Sequence, residues 1–167
     1  MKAEPAERTR TITWDDPFTI PRAAVGKTGL EILTELFEGR LPPPPIAMTM
    51  GFIGVEVAEG RAVFEGDAAE YLYNPIGVVH GGFAMTLLDS AMGCAIHSTL
   101  GVGELYTTLE VKVNFIRPMN TDTGRVRCEG TVIHRGGRIA TAEGKVIAIE
   151  SGKLLAHGTT TCLVMRS

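Results

Sequence analysis

The sequence predicts a single α+β domain in which a mostly antiparallel sheet wraps around one long buried helix. Residues 81–99 are apolar nearly all the way round a helix, which is typical of a helix buried in a core. The segments on both sides alternate apolar and polar residues, which indicates strands. The predicted order is two strands, the helix and four strands, and wrapping the sheet around the helix is the economical packing. A chain of 167 residues is long enough for one such core.

The first 45 residues are predicted to form an N-terminal extension with a short helix and a proline linker. Thr28–Glu31 has the pattern of a capping box, and Gly39 is the expected stop signal. The apolar face of this helix would consist of Leu30, Leu33, Leu36 and Phe37. The run Pro42–Pro45 cannot continue a helix and predicts a stiff extended spacer. The compact domain is therefore expected to span residues 46–167.

The strands of the domain are predicted from alternating apolar residues and from the turn residues between them. Residues 47–58 and 61–69 flank Glu59–Gly60 and are predicted to form a hairpin. Four further strands are expected after the long helix, over residues 105–117, 124–134, 138–149 and 153–165. Ser151–Gly152 is a suitable turn between the last two.

Composition and charge exclude several classes of function. The 16 Lys and Arg residues are balanced by 19 Asp and Glu residues, and a net charge of −3 gives no basic field for nucleic acid. No stretch has the length and apolarity of a transmembrane helix, and the polar N-terminus lacks the apolar core of a signal peptide. The three cysteines are widely spaced, which is typical of free thiols in a reducing compartment and offers no metal site. We expect a cytoplasmic protein without a membrane partner.

Residues 74–89 (NPIGVVHGGFAMTLLD) carry the main chemical signal of the chain. Asn74 begins a predicted turn, and the long helix is expected to begin directly after His80. The first N–H groups of a helix have no partner within it, and the helix dipole favours negative charge there. The unshielded amides of Gly81 and Gly82 are therefore expected to stabilise an oxyanion during acyl transfer.

Asp89 interrupts the apolar run of the helix and is the expected catalytic acid. Eight residues separate it from Gly81, which corresponds to about 12 Å along a helix axis. One chain cannot present both groups to the same carbonyl, so a two-fold dimer with a composite active site is predicted. Asp89 would act as a nucleophile or as a general base on water, and both roles stay open. His80 and Asn74 are short polar groups that would orient the acyl carbonyl or the water.

Each of these residues also has a structural interpretation. An isolated Asp89 would be a buried acid satisfied by a helix end or an arginine, and His80 can simply cap the helix. The two glycines can permit close packing of the helix on the sheet, and Asn74 is a common turn residue. The G-x-G-x-x-G phosphate-binding pattern and the G-x-S-x-G nucleophile elbow are both absent. The combination of an acid with a glycine-rich helix start favours catalysis.

The motif N-P-x-G-x-x-H-G-G over residues 74–82, followed along the helix by Asp89, resembles the PaaI-like branch of the hotdog-fold acyl-CoA thioesterases. Residues 113–118 (VNFIRP) and 151–164 (SGKLLAHGTTTCLV) also resemble segments of that branch. The resemblance covers residues 46–165. It implies a hotdog fold, an acyl-CoA substrate, and homodimers that often pair into homotetramers.

The resemblance also implies roles for individual residues of this chain. The implied catalytic residues are Asn74, His80, Gly81, Asp89 and Thr108. The family often places a Ser or Thr on the strand after the helix, at the position of Thr108. Strict alternation instead places Thr107 on the face with Val111, so both threonines stay candidates. Basic residues near strand ends usually bind coenzyme A phosphates in this family, and the corresponding candidates are Arg117, Arg135 and Arg138.

We expect the protein to hydrolyse a medium-chain or aryl acyl-CoA to the free acid and coenzyme A, without a metal or redox cofactor. A buried slot between helix and sheet suits an apolar acyl tail. Two alternatives stay open. An acyl-thioester hydratase would keep the fold, but its usual H-x-G-x-x-P-type signature is missing. A non-catalytic acyl-CoA-binding or regulatory module would keep the pocket and lose the acid, so the presence of Asp89 argues against it.

Overall fold

The computed structural model of the protein describes residues 7–166. Residues 1–6 of the predicted N-terminal extension, and Ser167, lie outside the described residues. The helices are α1 (Thr19–Ala23), α2 (Gly29–Phe37), α3 (Pro45–Met50) and α4 (Gly81–His97). The strands are β1 (Phe52–Ala58), β2 (Arg61–Asp67), β3 (Glu104–Phe115), β4 (Arg125–Arg135), β5 (Ile139–Ala148) and β6 (Leu154–Arg166). Single 3₁₀ turns lie at Glu70–Leu72 and Thr121–Thr123.

The strands form one antiparallel sheet in the order β1-β2-β4-β5-β6-β3. β1 and β3 are the two edges of this sheet, and α4 contacts every strand. The sheet therefore wraps around the helix. The prediction of an α+β domain with two strands, a buried helix and four strands is confirmed.

Close contact between α4 and the sheet depends on three glycines that lie in register. Gly130, Gly144 and Gly158 pair across β4, β5 and β6. A Cβ atom on Gly130 would lie 2.4 Å from the carbonyl carbon of Ala91, and one on Gly144 would lie 3.0 Å from Leu88. The missing side chains let the helix lie directly on the sheet. The largest buried side chains of α4 are Phe83, Leu87, Leu88, Met92 and Ile96.

α2 fixes the N-terminal extension to the domain. Thr28 forms the predicted capping box at its start. The Gly29 N–H donates to the carbonyl of Leu100 at 2.9 Å, which ties the start of α2 to the chain just beyond α4. α2 packs against β1, and Ile32 and Leu33 are buried. Ile32 therefore belongs to the apolar face, although the predicted face omits it.

The predicted strand over residues 47–58 is wrong at its start. α3 occupies Pro45–Met50, and β1 begins only at Phe52. Pro45 stands at the first position of α3, where its missing N–H needs no partner and its fixed φ suits a helix. Gly51 ends α3 in the left-handed conformation, with φ of 75°. The other predicted strands and the long helix agree with the structure to within two residues at each end.

Candidate active site

The first turn of α4 leaves one backbone amide free. His80 is the N-cap residue with extended backbone (φ −61°, ψ 135°), and its Nδ1 accepts a hydrogen bond from the Gly82 N–H at 2.8 Å. Gly81 is the first helical residue, and its N–H has no partner in the helix or elsewhere among residues 7–166. Of the two amides expected to serve as oxyanion donors, only that of Gly81 stays available, because the histidine side chain already accepts the Gly82 N–H.

Asn74 holds the turn that precedes α4. Its Oδ1 accepts hydrogen bonds from the backbone N–H groups of Ile76 at 3.1 Å and Val78 at 3.2 Å. Gly77 completes the turn in the left-handed conformation, with φ of 81°. The turn delivers His80 to the helix start. The Oδ1 atom of Asn74 is thus committed to the backbone, in agreement with the structural interpretation of this residue.

Asp89 lies on an exposed part of α4. Its Oδ1 accepts a hydrogen bond from Thr108 Oγ1 on β3 at 3.0 Å, and within the described chain this is its one hydrogen-bonding side-chain partner. The carboxylate is neither buried nor compensated by a helix end. The interpretation of Asp89 as a buried structural acid does not fit this environment.

A β-bulge decides which threonine meets the acid. The register between β3 and β6 shifts at Leu109, so one extra residue enters β3. Thr108 and Val111 consequently share the face turned towards α4, while Thr107 is exposed. The alternation that placed Thr107 with Val111 is wrong, because the bulge breaks the period of two. Thr108 is the threonine that contacts the helix acid.

A cavity of about 450 Å³ opens beside the acid, and we name it the acid cavity. α4 and β3 contribute its more polar wall, which consists of Asp89, Ser90, Cys94, Tyr106 and Thr108. Residues 36–47, together with β1 and β2, contribute an apolar wall. Sequence reasoning missed Ser90, Tyr106 and residues 36–47 as site residues. Ser90 could have been predicted because it is adjacent to Asp89 in sequence. Residues 36–47 could not, because their position beside the cavity depends on how α2 docks.

Two polar lining groups of the acid cavity have raised pKa values. Burial, and then Asp89, raises the pKa of the Cys94 thiol to about 12. Burial raises the pKa of Tyr106 well above the usual phenol value, and the nearby thiols and Asp89 add to this effect. Both groups therefore stay protonated at neutral pH. Among the described lining residues, Asp89 is the only acidic or basic side chain, which makes it the candidate for acid–base or nucleophilic chemistry in this cavity.

Gly81 lines a different cavity, of about 380 Å³, which we name the amide cavity. Phe115 and Arg117 also line the amide cavity, and a Cβ atom on Gly81 would lie 2.9 Å from the Phe115 ring. Asp89 lines only the acid cavity of these two. A single chain therefore holds the free amide and the carboxylate apart, as the spacing along the helix predicts.

The three candidate arginines differ in their surroundings. Arg117 donates to the carbonyl of Leu154 at 2.7 Å and lines the amide cavity. Arg135 forms an ion pair with Glu104 at 2.8 Å. Arg138 is exposed in the turn between β4 and β5. The structure brings none of these guanidinium groups into the lining of the acid cavity.

Three further observations bear on the expected chemistry. Among residues 7–166, no three His, Cys, Asp or Glu side chains are grouped so that they could hold a metal ion. In the same range, no helix combines the length and the apolarity needed to cross a membrane. Cys94, Cys128 and Cys162 are free thiols.

A long helix wrapped by a six-stranded antiparallel sheet is the architecture of the hotdog fold. A family model described as the thioesterase superfamily matches residues 76–155, which include α4 and its preceding turn. The chain belongs to the thioesterase superfamily, as a PaaI-like member.

Three known proteins illustrate what this chain is similar to. The chain is 28% identical over 118 residues to a 1,4-dihydroxy-2-naphthoyl-CoA hydrolase of Listeria monocytogenes, an alignment that covers 71% of this chain and 94% of the relative. A conserved protein of Pseudomonas aeruginosa is 34% identical, with a TM-score of 0.66 over 72% of this chain and 93% of that one. A variant of the phenylacetic acid degradation protein PaaI of Thermus thermophilus is 28% identical, with a TM-score of 0.64 over 71% and 97% of the two chains.

Proposed function

We propose that this thioesterase hydrolyses a medium-chain or aryl acyl-CoA to the free acid and coenzyme A. The observation that carries the proposal is the carboxylate of Asp89, which is hydrogen-bonded to Thr108 and lines a largely apolar cavity of about 450 Å³. A cavity of this volume is within the range of small-ligand sites. Its apolar wall suits an acyl tail, and its one charged group stands where the thioester carbonyl would lie.

The proposed chemistry uses water and groups of the chain. As general base, Asp89 takes a proton from water, and the oxygen of that water attacks the thioester carbonyl carbon. The carbonyl oxygen becomes an oxyanion that accepts a hydrogen bond from the Gly81 N–H. The C–S bond then breaks, and the leaving thiolate of coenzyme A takes up a proton. As nucleophile, an Asp89 carboxylate oxygen would instead attack the carbonyl carbon and expel the coenzyme A thiolate, which takes up a proton; water then hydrolyses the resulting acyl anhydride to the free acid and the Asp89 carboxylate.

The proposed active site is shared between two copies of the chain. Asp89 and Gly81 line different cavities of one chain, so Gly81 of a second copy has to approach the acid. The edge strand β3 supports an interface between copies, because its outer edge has no neighbouring strand and Leu105 and Leu109 are more than half exposed. We propose a two-fold dimer or a dimer of such dimers as the active form.

The coenzyme A moiety is proposed to approach from the amide cavity. Arg117 lines that cavity and can bind phosphate there, and Arg138 is exposed and unpaired with any acid that the structure describes. Arg135 is the weaker candidate, because Glu104 already neutralises its charge. Three free thiols also support a reducing compartment such as the cytoplasm.

Release of free thiol from a panel of acyl-CoA substrates tests the proposed function. The panel contains acetyl-, butanoyl-, octanoyl-, palmitoyl-, benzoyl- and phenylacetyl-CoA, with purified Asp89→Asn protein as the control for contaminating hydrolases. We expect turnover of octanoyl- or an aryl-CoA by the wild-type protein. Binding of acyl-CoA without any turnover would instead support a non-catalytic binding module, and addition of water to an enoyl-CoA would support the hydratase.

A further inference from the structure

The apolar wall of the acid cavity comes in part from the N-terminal extension. Six apolar residues of the extension and its junction with the domain line the cavity, and we name them the acyl wall: Leu36, Phe37, Leu41, Pro43, Pro44 and Ile46. Glu38 and Arg40 lie between them in sequence but are exposed and pair with each other. The acyl wall therefore presents only uncharged groups to the cavity that contains Asp89.

The acyl wall is built into the fold rather than loosely attached. The Phe37 ring lies edge-on to Phe64, with ring centroids 5.1 Å apart. Gly54 on β1 makes room for this ring, because a Cβ atom there would lie 2.7 Å from it. Lys27, just before α2, forms an ion pair with Glu35 of α2 at 2.6 Å. These contacts hold the wall against β1 and β2.

The acyl wall also lies outside the part of the chain that defines the family. The family model matches residues 76–155, and the acyl wall ends at Ile46. The alignment with the Listeria monocytogenes hydrolase covers 94% of that relative but only 71% of this chain. The acyl wall thus precedes the residues that the family model matches.

We infer that the acyl wall selects the substrate of this enzyme by admitting an uncharged, apolar acyl group and limiting its length. This inference rests on the proposed function, since it places the acyl group in the cavity beside Asp89. A charged end on the acyl group would be desolvated against the wall without a partner, which is strongly unfavourable. A longer chain would collide with a wall that α2 holds in place.

Two substitutions that change the size of the cavity test the inference. Ile46 is 50% exposed, so Ile46→Trp adds bulk at the cavity without removing core packing. Leu41→Ala removes bulk from the same wall. Val25→Trp is the matched control, because Val25 belongs to the same extension, is 82% exposed and does not line the cavity. Values of kcat/KM are measured for butanoyl-, octanoyl-, dodecanoyl- and suberoyl-CoA.

Ile46→Trp is expected to lower kcat/KM for the longest accepted acyl chain by about tenfold or more, and that for butanoyl-CoA by at most about twofold. Leu41→Ala is expected to shift the preference towards longer chains. Val25→Trp should match the wild-type profile, and suberoyl-CoA should be rejected relative to octanoyl-CoA by the wild type. The same fractional change for every acyl-CoA in both wall variants would overturn the inference.

A binding readout separates this inference from the proposed function. Dissociation constants for the same acyl-CoA series are measured by calorimetry in an Asp89→Asn background, where hydrolysis does not interfere. A length preference that moves with Ile46→Trp supports the acyl wall even if the wild-type protein turns over no substrate. If the dissociation constants do not change with the wall substitutions while turnover is normal, the inference about the acyl wall is overturned and the proposed function is not. Absence of binding to any acyl-CoA would overturn both.

Discussion

The start and the middle of α4 use their polar groups in opposite ways. At the start, the side chains of Asn74 and His80 accept hydrogen bonds from nearby backbone amides. In the middle, the carboxylate of Asp89 bonds to a single hydroxyl, that of Thr108, and is otherwise open to a cavity. The start of the helix is thus a scaffold that leaves one amide free, and the middle carries the proposed reactive group.

This contrast explains why the motif contains more polar residues than the proposed reaction uses. A turn of glycine and asparagine followed by a histidine cap sets the path of the chain into α4. Among residues 74–83, only the Gly81 N–H is left without a partner that the structure describes. Substitutions at the start and in the middle of the helix should therefore separate effects on stability from effects on catalysis.

The largest expected effect follows from Asp89→Asn. The amide keeps the shape and can still accept the Thr108 hydrogen bond, but it cannot act as a base or a nucleophile. We expect kcat to fall by about 10³-fold or more, with acyl-CoA affinity largely unchanged. Thiol release at saturating substrate measures kcat, and calorimetry measures the affinity for acyl-CoA. Turnover close to that of the wild type would show that another group does the chemistry.

Gly81→Pro tests the free amide at the start of α4. Proline removes the N–H and adds ring carbons near Phe115, and it suits the first position of a helix after a residue with extended backbone, as His80 is. Gly81→Ala is the matched control, because it adds a Cβ atom near Phe115 and keeps the N–H. We expect kcat to be about 10²-fold lower for proline than for alanine. Equal activity of the two variants would exclude this amide as the oxyanion donor.

Thr108→Val removes the hydroxyl that contacts the acid while preserving the shape of the side chain. A hydrogen bond to a charged group is worth about 1.5 kcal/mol or more, which corresponds to about a tenfold loss in kcat/KM. Thr107→Val is the comparison, because Thr107 is exposed and does not contact Asp89. Equal losses of activity in the two variants would show that contact with Asp89, which the β-bulge at Leu109 gives to Thr108, does not matter for the reaction.

The smallest effect is expected at His80, and it concerns stability. His80→Ala removes the helix cap and should lower the free energy of unfolding by about 1 kcal/mol. His80→Asn should restore most of this loss, since asparagine is a good N-cap residue. Urea unfolding at fixed protein concentration measures both. A loss of kcat in His80→Asn without a loss of stability would assign the histidine a direct role in the reaction.

The sequence predicted the fold well because the buried helix and most strands have strong local periodicity. Residues 47–50 are the exception: an apolar run beside Pro45 suits both a strand and a short helix, and the proline favours the helix. Thr108 shows a different limit. A bulge depends on the pairing of β3 with β6, so alternation along one strand cannot reveal it.

The two walls of the acid cavity also differ in how well the sequence predicted them. Asp89 was predicted as the catalytic acid from a compact motif, because the two glycines and the acid lie close together in sequence. The acyl wall was not, because Leu41 and Ile46 reach the cavity only through the docking of α2 on β1. Local patterns describe helices and strands, whereas a cavity between distant segments depends on the tertiary structure.

Complementation between two inactive variants tests the shared active site most directly. Asp89→Asn and Gly81→Pro proteins are mixed, allowed to exchange subunits, and assayed for thiol release. In a mixed dimer one composite site keeps both Gly81 and Asp89, and half of the dimers are mixed at equilibrium. A composite site therefore predicts recovery to about one quarter of the wild-type activity. No recovery in dimers shown to have exchanged would contradict it, because amide and acid would then have to act within one chain.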